Sequence, residues 1–279
     1  MSTAAGGHAG GVLNPNQVIT LGAVGGLAGI YLTMLNQAMD TTIFSFLGGI
    51  GAILAAVWGA DAVRRVCSYG LGTGVPSIGM MALGMGIVAS MFGLSLPEVE
   101  PGIPVVAGPI IAFGVAAIIG LIIGIMSNKI LKMNIPIMEK SMVEIAGSGA
   151  LVMIGLSAAI AGSYDFGAIM PAVVETGFIA LVFIGGAMTI LHPFNACLGP
   201  DEKQDRTLMV GIEKGALIMA IAGFASLAVD SMDVISGALT VIVSLVIWIV
   251  AFRKFMRYVH RDAHLVTGTG LLPTEEELE

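Results

Sequence analysis

The sequence predicts an all-α membrane protein with about eight transmembrane helices. Three observations carry this. Of the 279 residues, 56% are hydrophobic and only 11% are charged, whereas a soluble domain uses about a quarter of its residues as charges. The apolar residues fall in eight runs, each long enough or nearly so to cross about 30 Å of hydrocarbon at about 1.5 Å per helical residue. When these runs are threaded across a membrane, the charges between them separate by sign.

Residues 1–17 read MSTAAGGHAGGVLNPNQ, with no lysine or arginine. A cleavable signal needs a basic leading region, so the first run is expected to stay in the mature protein. That run, Val18–Leu35, carries the small-xxx-small pairs Gly22/Gly26 and Gly25/Gly29, a pattern for close helix packing within lipid. The second, Phe44–Ala60, is short and stops before Asp61, Arg64 and Arg65. The spacing of those three predicts ion pairs along one helix face. The third, Val75–Leu96, opens with Pro76, which suits the first turn of a helix, where a missing N–H costs nothing. The fourth, Val105–Met126, holds Gly120/Gly124, and the fifth, Ile145–Ala161, is again short. The sixth, Ala168–Leu191, contains Glu175 and Thr176. The seventh, Leu208–Val229, has Gly211/Gly215 with Glu213 and Lys214 between them, so its apolar core begins near Gly215. The eighth, Val234–Phe252, runs into a basic stretch. The chain divides into an N-terminal tail (1–17), a membrane domain (18–255) and a C-terminal tail (256–279).

With eight crossings, one side receives the N-terminus, 61–74, 127–144, 192–207 and the C-terminal tail. Together with Glu213 and Lys214 at a helix end, that side collects all 12 lysines and arginines. The opposite stretches, 36–43, 97–104, 162–167 and 230–233, hold Asp40, Glu98, Glu100, Asp165, Asp230 and Asp233 and no basic residue. The positive-inside rule makes the basic side cytoplasmic, with both termini inside. One span more or fewer would scatter the charges over both faces.

A short internal similarity links EKSMVEIAGSGALVMIG (139–155) with EKQDRTLMVGIEKGALIMAI (202–221). Spans two to seven therefore read as three tandem helical hairpins flanked by spans one and eight. Such repeats are parallel, unlike the inverted repeats from which many secondary transporters build a midplane site.

The stretch RRVCSYGLGTGVPSIGMM (64–81) is the densest local signal. A phosphate loop needs GxxxxGK[ST] and a dinucleotide fingerprint needs GxGxxG after a strand. Gly70, Gly72 and Gly74 satisfy neither, in a setting of membrane helix. A carbonyl-lined filter is disfavoured by Arg64 and Arg65, which hold the glycines at interface depth. A tight cytoplasmic connector is the favoured reading, with Arg64, Arg65, Tyr69, Gly70, Gly72, Gly74 and Pro76 as docking candidates.

Glu175 is the one carboxylate read as lying well inside an apolar run, roughly 8–10 Å deep if the helix is straight. Burying an ionisable group there costs about 2.5–3.5 kcal/mol on insertion scales, so such groups tend to face a cavity or partner. A side chain that snorkels outward is the competing reading. The two cysteines, Cys67 and Cys197, cannot form a disulfide framework and read as small thiols facing a reducing compartment. His192 and Cys197 alone are two ligands short of a zinc site, and Cys67, in the equivalent connector, is the one further candidate. No catalytic triad, paired deep carboxylates or basic-aromatic nucleic-acid surface is present, and no catalytic or metal residue is assigned.

The block RRVCSYGLGTGVPSIGMMALGMG, after a glycine-rich first hairpin and an N-terminal GGHA, resembles the C subunit of the tetrahydromethanopterin S-methyltransferases of methanogenic archaea. The resemblance runs through most of the chain. It implies a cell-membrane complex that moves a methyl group from methyl-tetrahydromethanopterin to coenzyme M through a corrinoid (cobamide) and couples the transfer to sodium ion export. It also implies that the corrinoid and the pterin are each handled by other subunits lying mainly outside the membrane. The C, D and E subunits of that family are the multi-span ones. The partners expected are those other subunits and membrane lipids, with no nucleic acid and no cofactor held by this chain. Sodium needs oxygen ligands, and depth and chemistry make Glu175, with Thr176, the candidates for an ion path. A stand-alone secondary ion transporter or channel is the alternative. An integral-membrane enzyme is a weaker reading, because ionisable residues do not cluster at one face.

Overall fold

The computed structural model describes residues 12–69, 74–196 and 203–267, with side chains for 12–69, 74–192 and 203–262. The helices are α1 (Pro15–Leu32), α2 (Leu35–Ala38), α3 (Ser45–Cys67), α4 (Val75–Val99), α5 (Gly108–Ile125), α6 (Met138–Ala161), α7 (Phe166–Ile169), α8 (Phe178–Ala196), α9 (Gln204–Ala228) and α10 (Val234–Thr267). A 3₁₀ turn (Val105–Ala107) precedes α5, and π-turns follow α5 (Met126–Ile130) and α7 (Met170–Val174). The described residues contain no strand. Seven segments are long and apolar enough to cross a membrane, and an eighth is a bent pair, Phe166–Val174 and Phe178–His192, meeting at 96°.

Each start and stop has a local cause. Asn14 accepts from the Gln17 N–H while the Gln17 side chain accepts from the Asn14 N–H, both at 2.9 Å, and Pro15 takes the first turn. This reciprocal cap satisfies orphan donors at the helix start. Gly74 (φ +81°) sets up α4 in the left-handed region, with Pro76 in the first turn. Both α3 and α6 run about seven residues beyond the apolar runs read from sequence, at opposite ends. The apolar pattern stops at the charges, but the helices continue because those charges pair with one another.

The core is α6, with 94% of its apolar window buried. It lies against α3, α4 and α5, and glycine sets the distances. A Cβ on Gly86 of α4 would stand 2.1 Å from the Ala146 carbonyl oxygen, and one on Gly120 of α5 would stand 2.4 Å from that of Met142. Backbone thus meets backbone where lipid offers no hydrophobic drive between helices. Gly29 of α1 seats on the α3 backbone in the same way, and Gly22 and Gly26 lie close against α3 side chains. Of the α9 pair, Gly215 is tight on Ile53, while Gly211 meets α3 at ordinary van der Waals distance. The small-residue pairs are therefore seams within the chain. The first of the three hairpins expected from sequence is not a packed pair. α3 barely touches α4, which is held on α5 and α6, while α3 packs on α1, α6 and α9.

Hydrogen bonds tie the helix ends into two layers. At one end, Asn36 donates to the Gly162 carbonyl (2.7 Å), Thr42 to Asp233 (2.7 Å) and Tyr31 to the Val106 carbonyl (2.7 Å), and Ser231 donates to the Ile160 carbonyl. Asp40, Asp165, Asp230 and Asp233 lie in this layer. At the other end, α3, α6, α9 and α10 are joined by the ionic contacts described next, and the 12 basic residues of the sequence belong to that half.

Candidate functional site at the basic end of the bundle

The last two turns of α3 build the site. Asp61 is fully buried, and its carboxylate takes Arg64 Nη2 at 2.9 Å and Arg65 Nε at 2.9 Å. These are the ion pairs that the spacing predicted. Arg65 also reaches across to Glu144 of α6, touching Oε2 closely and Oε1 at 3.4 Å. The Trp58 indole N–H donates to the same Glu144 at 2.9 Å. From α9, Gln204 donates its amide to Asp61 at 3.1 Å and accepts the Leu13 backbone N–H at 2.9 Å. Two acids and two arginines thus form a neutral quartet joining α3 to α6, α9 and the start of α1. An ion taken from water costs several kcal/mol unless paired and hydrogen-bonded, and here pairing and hydrogen bonding coincide.

A second carboxylate–indole contact repeats this pattern. Glu213 of α9 is buried, accepts from the Trp248 indole of α10 at 2.9 Å and pairs with Lys214 at 3.0 Å. Further along, Asp262 takes Lys203 and Arg261, each at 2.7 Å, and Arg261 also reaches Asp205 at 2.9 Å.

The connector leaves this quartet directly. Tyr69 is exposed on the turn after α3, and Gly74 and Pro76 open α4 as described. Gly70 and Gly72 lie outside the described residues. Between the end of α3 and the start of α4, against α6 and α8, lies an apolar cavity of about 330 Å³. Cys67, Pro76, Gly79, Phe183, Met188 and His192 are among its lining residues. The structure brings Cys67 and His192, named together with Cys197 in the sequence, to one cavity. Cys197 lies outside the described residues. Among the described residues, no group of three or more His, Cys, Asp or Glu side chains could hold a metal ion.

Glu175 and Thr176 stand elsewhere, and the straight helix assumed for their depth is corrected here. The chain bends by 96° between Phe166–Val174 and Phe178–His192. Pro171 sits in the π-turn Met170–Val174, and Gly177 adopts φ +80°. Glu175 lies on the bend and is exposed, and Thr176 donates to the Ala172 carbonyl at 2.9 Å. The arm before the bend lies against α6 and α4, so residue count from Ala168 does not measure depth. Among the described residues, the buried carboxylates are instead Asp61, Glu144, Glu213 and Asp262. Glu144 is easily missed, because it belongs by charge to stretch 127–144. Its signal was the continuation of the α6 buried face through Met138, Ser141 and Ile145.

Comparison with known proteins covers nearly the whole chain. The family model for the C subunit of tetrahydromethanopterin S-methyltransferase matches residues 1–276. The C subunit of this enzyme from Methanosarcina barkeri is 56% identical over 275 residues, covering 99% of this chain and 98% of the relative. Those of Methanothermobacter thermautotrophicus and Methanococcus maripaludis (strain C5) are 44% and 37% identical, each over 99% of this chain and all of the relative. The chain belongs to the family of tetrahydromethanopterin S-methyltransferase C subunits.

Proposed function

We propose that this chain is a membrane frame of the methyltransferase complex, itself without methyl-transfer chemistry. The complex would transfer a methyl group from methyl-tetrahydromethanopterin to coenzyme M through a corrinoid on another subunit and translocate sodium in the same cycle. Family membership makes the chain part of a methyltransferase complex. The observation that carries the frame reading is the engagement of the buried acids. Glu144, Glu213 and Asp262 each hold a cationic or indole partner on another helix or at its start, and Asp61, ion-paired within α3, takes the Gln204 amide of α9. Acid–base and nucleophilic catalysis need groups poised at a substrate, whereas these groups hold helices together. A stand-alone transporter or channel is not favoured, because the relatives are named as subunits.

In this reading the basic end faces the cytoplasm, with both termini inside. The exposed Tyr69 turn then offers the docking point for the corrinoid-bearing subunit, and the outward helix faces meet lipid and the other multi-span subunits. Glu175 and Thr176, on the bend at the opposite end, would stand at the rim of a sodium route. Affinity purification of the tagged chain from native membranes in mild detergent tests the frame reading. It should bring down the other multi-span subunits and corrinoid, and migration as a lone species would sink it. Glu175→Gln in the intact complex tests the sodium assignment. Sodium uptake into vesicles should fall while corrinoid methylation continues, and unchanged uptake makes the residue structural.

A further inference from the structure

The outward side of α10 is one stripe that changes chemistry once along its length. Ile242, Leu245, Val246, Ile249 and Val250 are exposed, and the same side continues as exposed Arg253, Lys254, Arg257 and His260. Steps of three and four residues keep these positions on one helix face. α10 has 34 residues, about 51 Å of helix against a hydrocarbon layer of about 30 Å.

Contacts fix the level of the change. Arg261 bonds Asp205, and the adjacent Gln204 bonds Asp61 in the last turns of α3. Arg261 is therefore level with the Arg64–Arg65 end of the bundle. Arg253 lies eight residues back, about 12 Å nearer the bilayer centre. It follows Trp248 by little more than one turn, and that indole stacks on Phe252 at 5.6 Å and 18°. An aromatic pair followed by cations marks the edge of a hydrocarbon layer. Arg64, Arg65 and Arg261 are ion-paired, whereas Arg253, Lys254 and Arg257 make no ion pair among the described residues.

Cations facing lipid at that depth reach for an anion at the headgroup level. From Ile242 to Arg253 the helix rises about 16 Å, close to half of the hydrocarbon thickness. The stripe therefore matches one amphiphile, with its chains along Ile242–Val250 and its phosphate at the cations. An acidic protein would meet the cations and leave the apolar half bare. We propose that the outward face of α10 is a binding site for an anionic membrane lipid, whose phosphate is held by Arg253, Lys254 and Arg257.

The test compares wild type with a variant carrying Arg253→Gln, Lys254→Gln and Arg257→Gln, within the complex purified in mild detergent. Phosphatidylglycerol and phosphatidylcholine with identical chains are titrated separately, and retained lipid is read by native mass spectrometry. Inorganic phosphate is the headgroup-free control. Wild type should prefer phosphatidylglycerol. The variant should lose roughly five-fold in affinity for each cation, about a hundred-fold in all. Arg253→Lys with Arg257→Lys should keep the preference, which separates lost charge from misfolding. Equal retention of both lipids by wild type, or unchanged retention by the variant, overturns the site. So does loss of another subunit from the variant with lipid retention intact, which would make the face a protein contact.

Discussion

Glu144→Gln probes the quartet with the least change in shape. The substitution removes one negative charge and leaves Asp61 facing both Arg64 and Arg65. Breaking a buried ion pair from one side costs about 3–5 kcal/mol when the other charge is left unpaired. Arg65 keeps its 2.9 Å contact with Asp61, and glutamine can still accept from Trp58, so we place the cost lower, at about 2–3 kcal/mol. Cys67 reports it, since this buried thiol closes α3 two residues after Arg65. In a Cys197→Ser background it is the only thiol in the chain. When local opening limits maleimide addition, labelling should speed up by about 30- to 150-fold. Arg65→Gln together with Glu144→Gln should label more slowly than the two single effects combined predict, because the double variant is neutral again. Wild-type labelling in Glu144→Gln, or strict additivity in the pair, would refute the idea that these charges hold the basic end closed.

Gly86→Ala should destabilise the protein by about 1–3 kcal/mol through overpacking, because its Cβ would meet the Ala146 carbonyl oxygen at 2.1 Å. Gly84→Ala, with nothing within 4 Å, should be near neutral, and equal melting midpoints for the two would contradict the packing. At the opposite end, the hydroxyls of Ser236 and Thr42 hold Asp233 down to about 2. A carboxyl depressed on folding stabilises above its unfolded pKa, about 3.9, and that contribution is lost as pH falls toward 2. The melting difference between wild type and Asp233→Asn should therefore shrink from pH 4 downward, and a constant difference would rule this out.

Hydropathy made the spans legible, because a run such as Val105–Met126 has few other fates. The sign of the loops made the layering legible. What the sequence concealed lies where those rules meet charge and backbone geometry. The second and fifth runs appeared short because Asp61 and Glu144 end an apolar pattern, yet the charge that pairs Glu144 sits on another helix, about 80 residues away at Arg65. No local window contains such a pair. The reversal at Glu175 has a different cause. Depth by residue count presumes a straight helix, and the bend rests on Gly177 and the π-turn around Pro171. Pro171 was a visible sign of a break, but its direction depended on contacts with α6 and α4. The resemblance carried by 64–81 held along the chain, although Gly70 and Gly72 lie outside the described residues.

The proposed arrangement turns on eight crossings, with the basic end inside the cell as its expectation. Single cysteines placed at Glu98 and Lys203, in a chain lacking Cys67 and Cys197, test it directly with a membrane-impermeant maleimide on right-side-out and inverted vesicles. Position 98 should label from outside and position 203 only in inverted vesicles. Labelling of both from the same side would contradict the eight-span topology and the cytoplasmic placement of the connector.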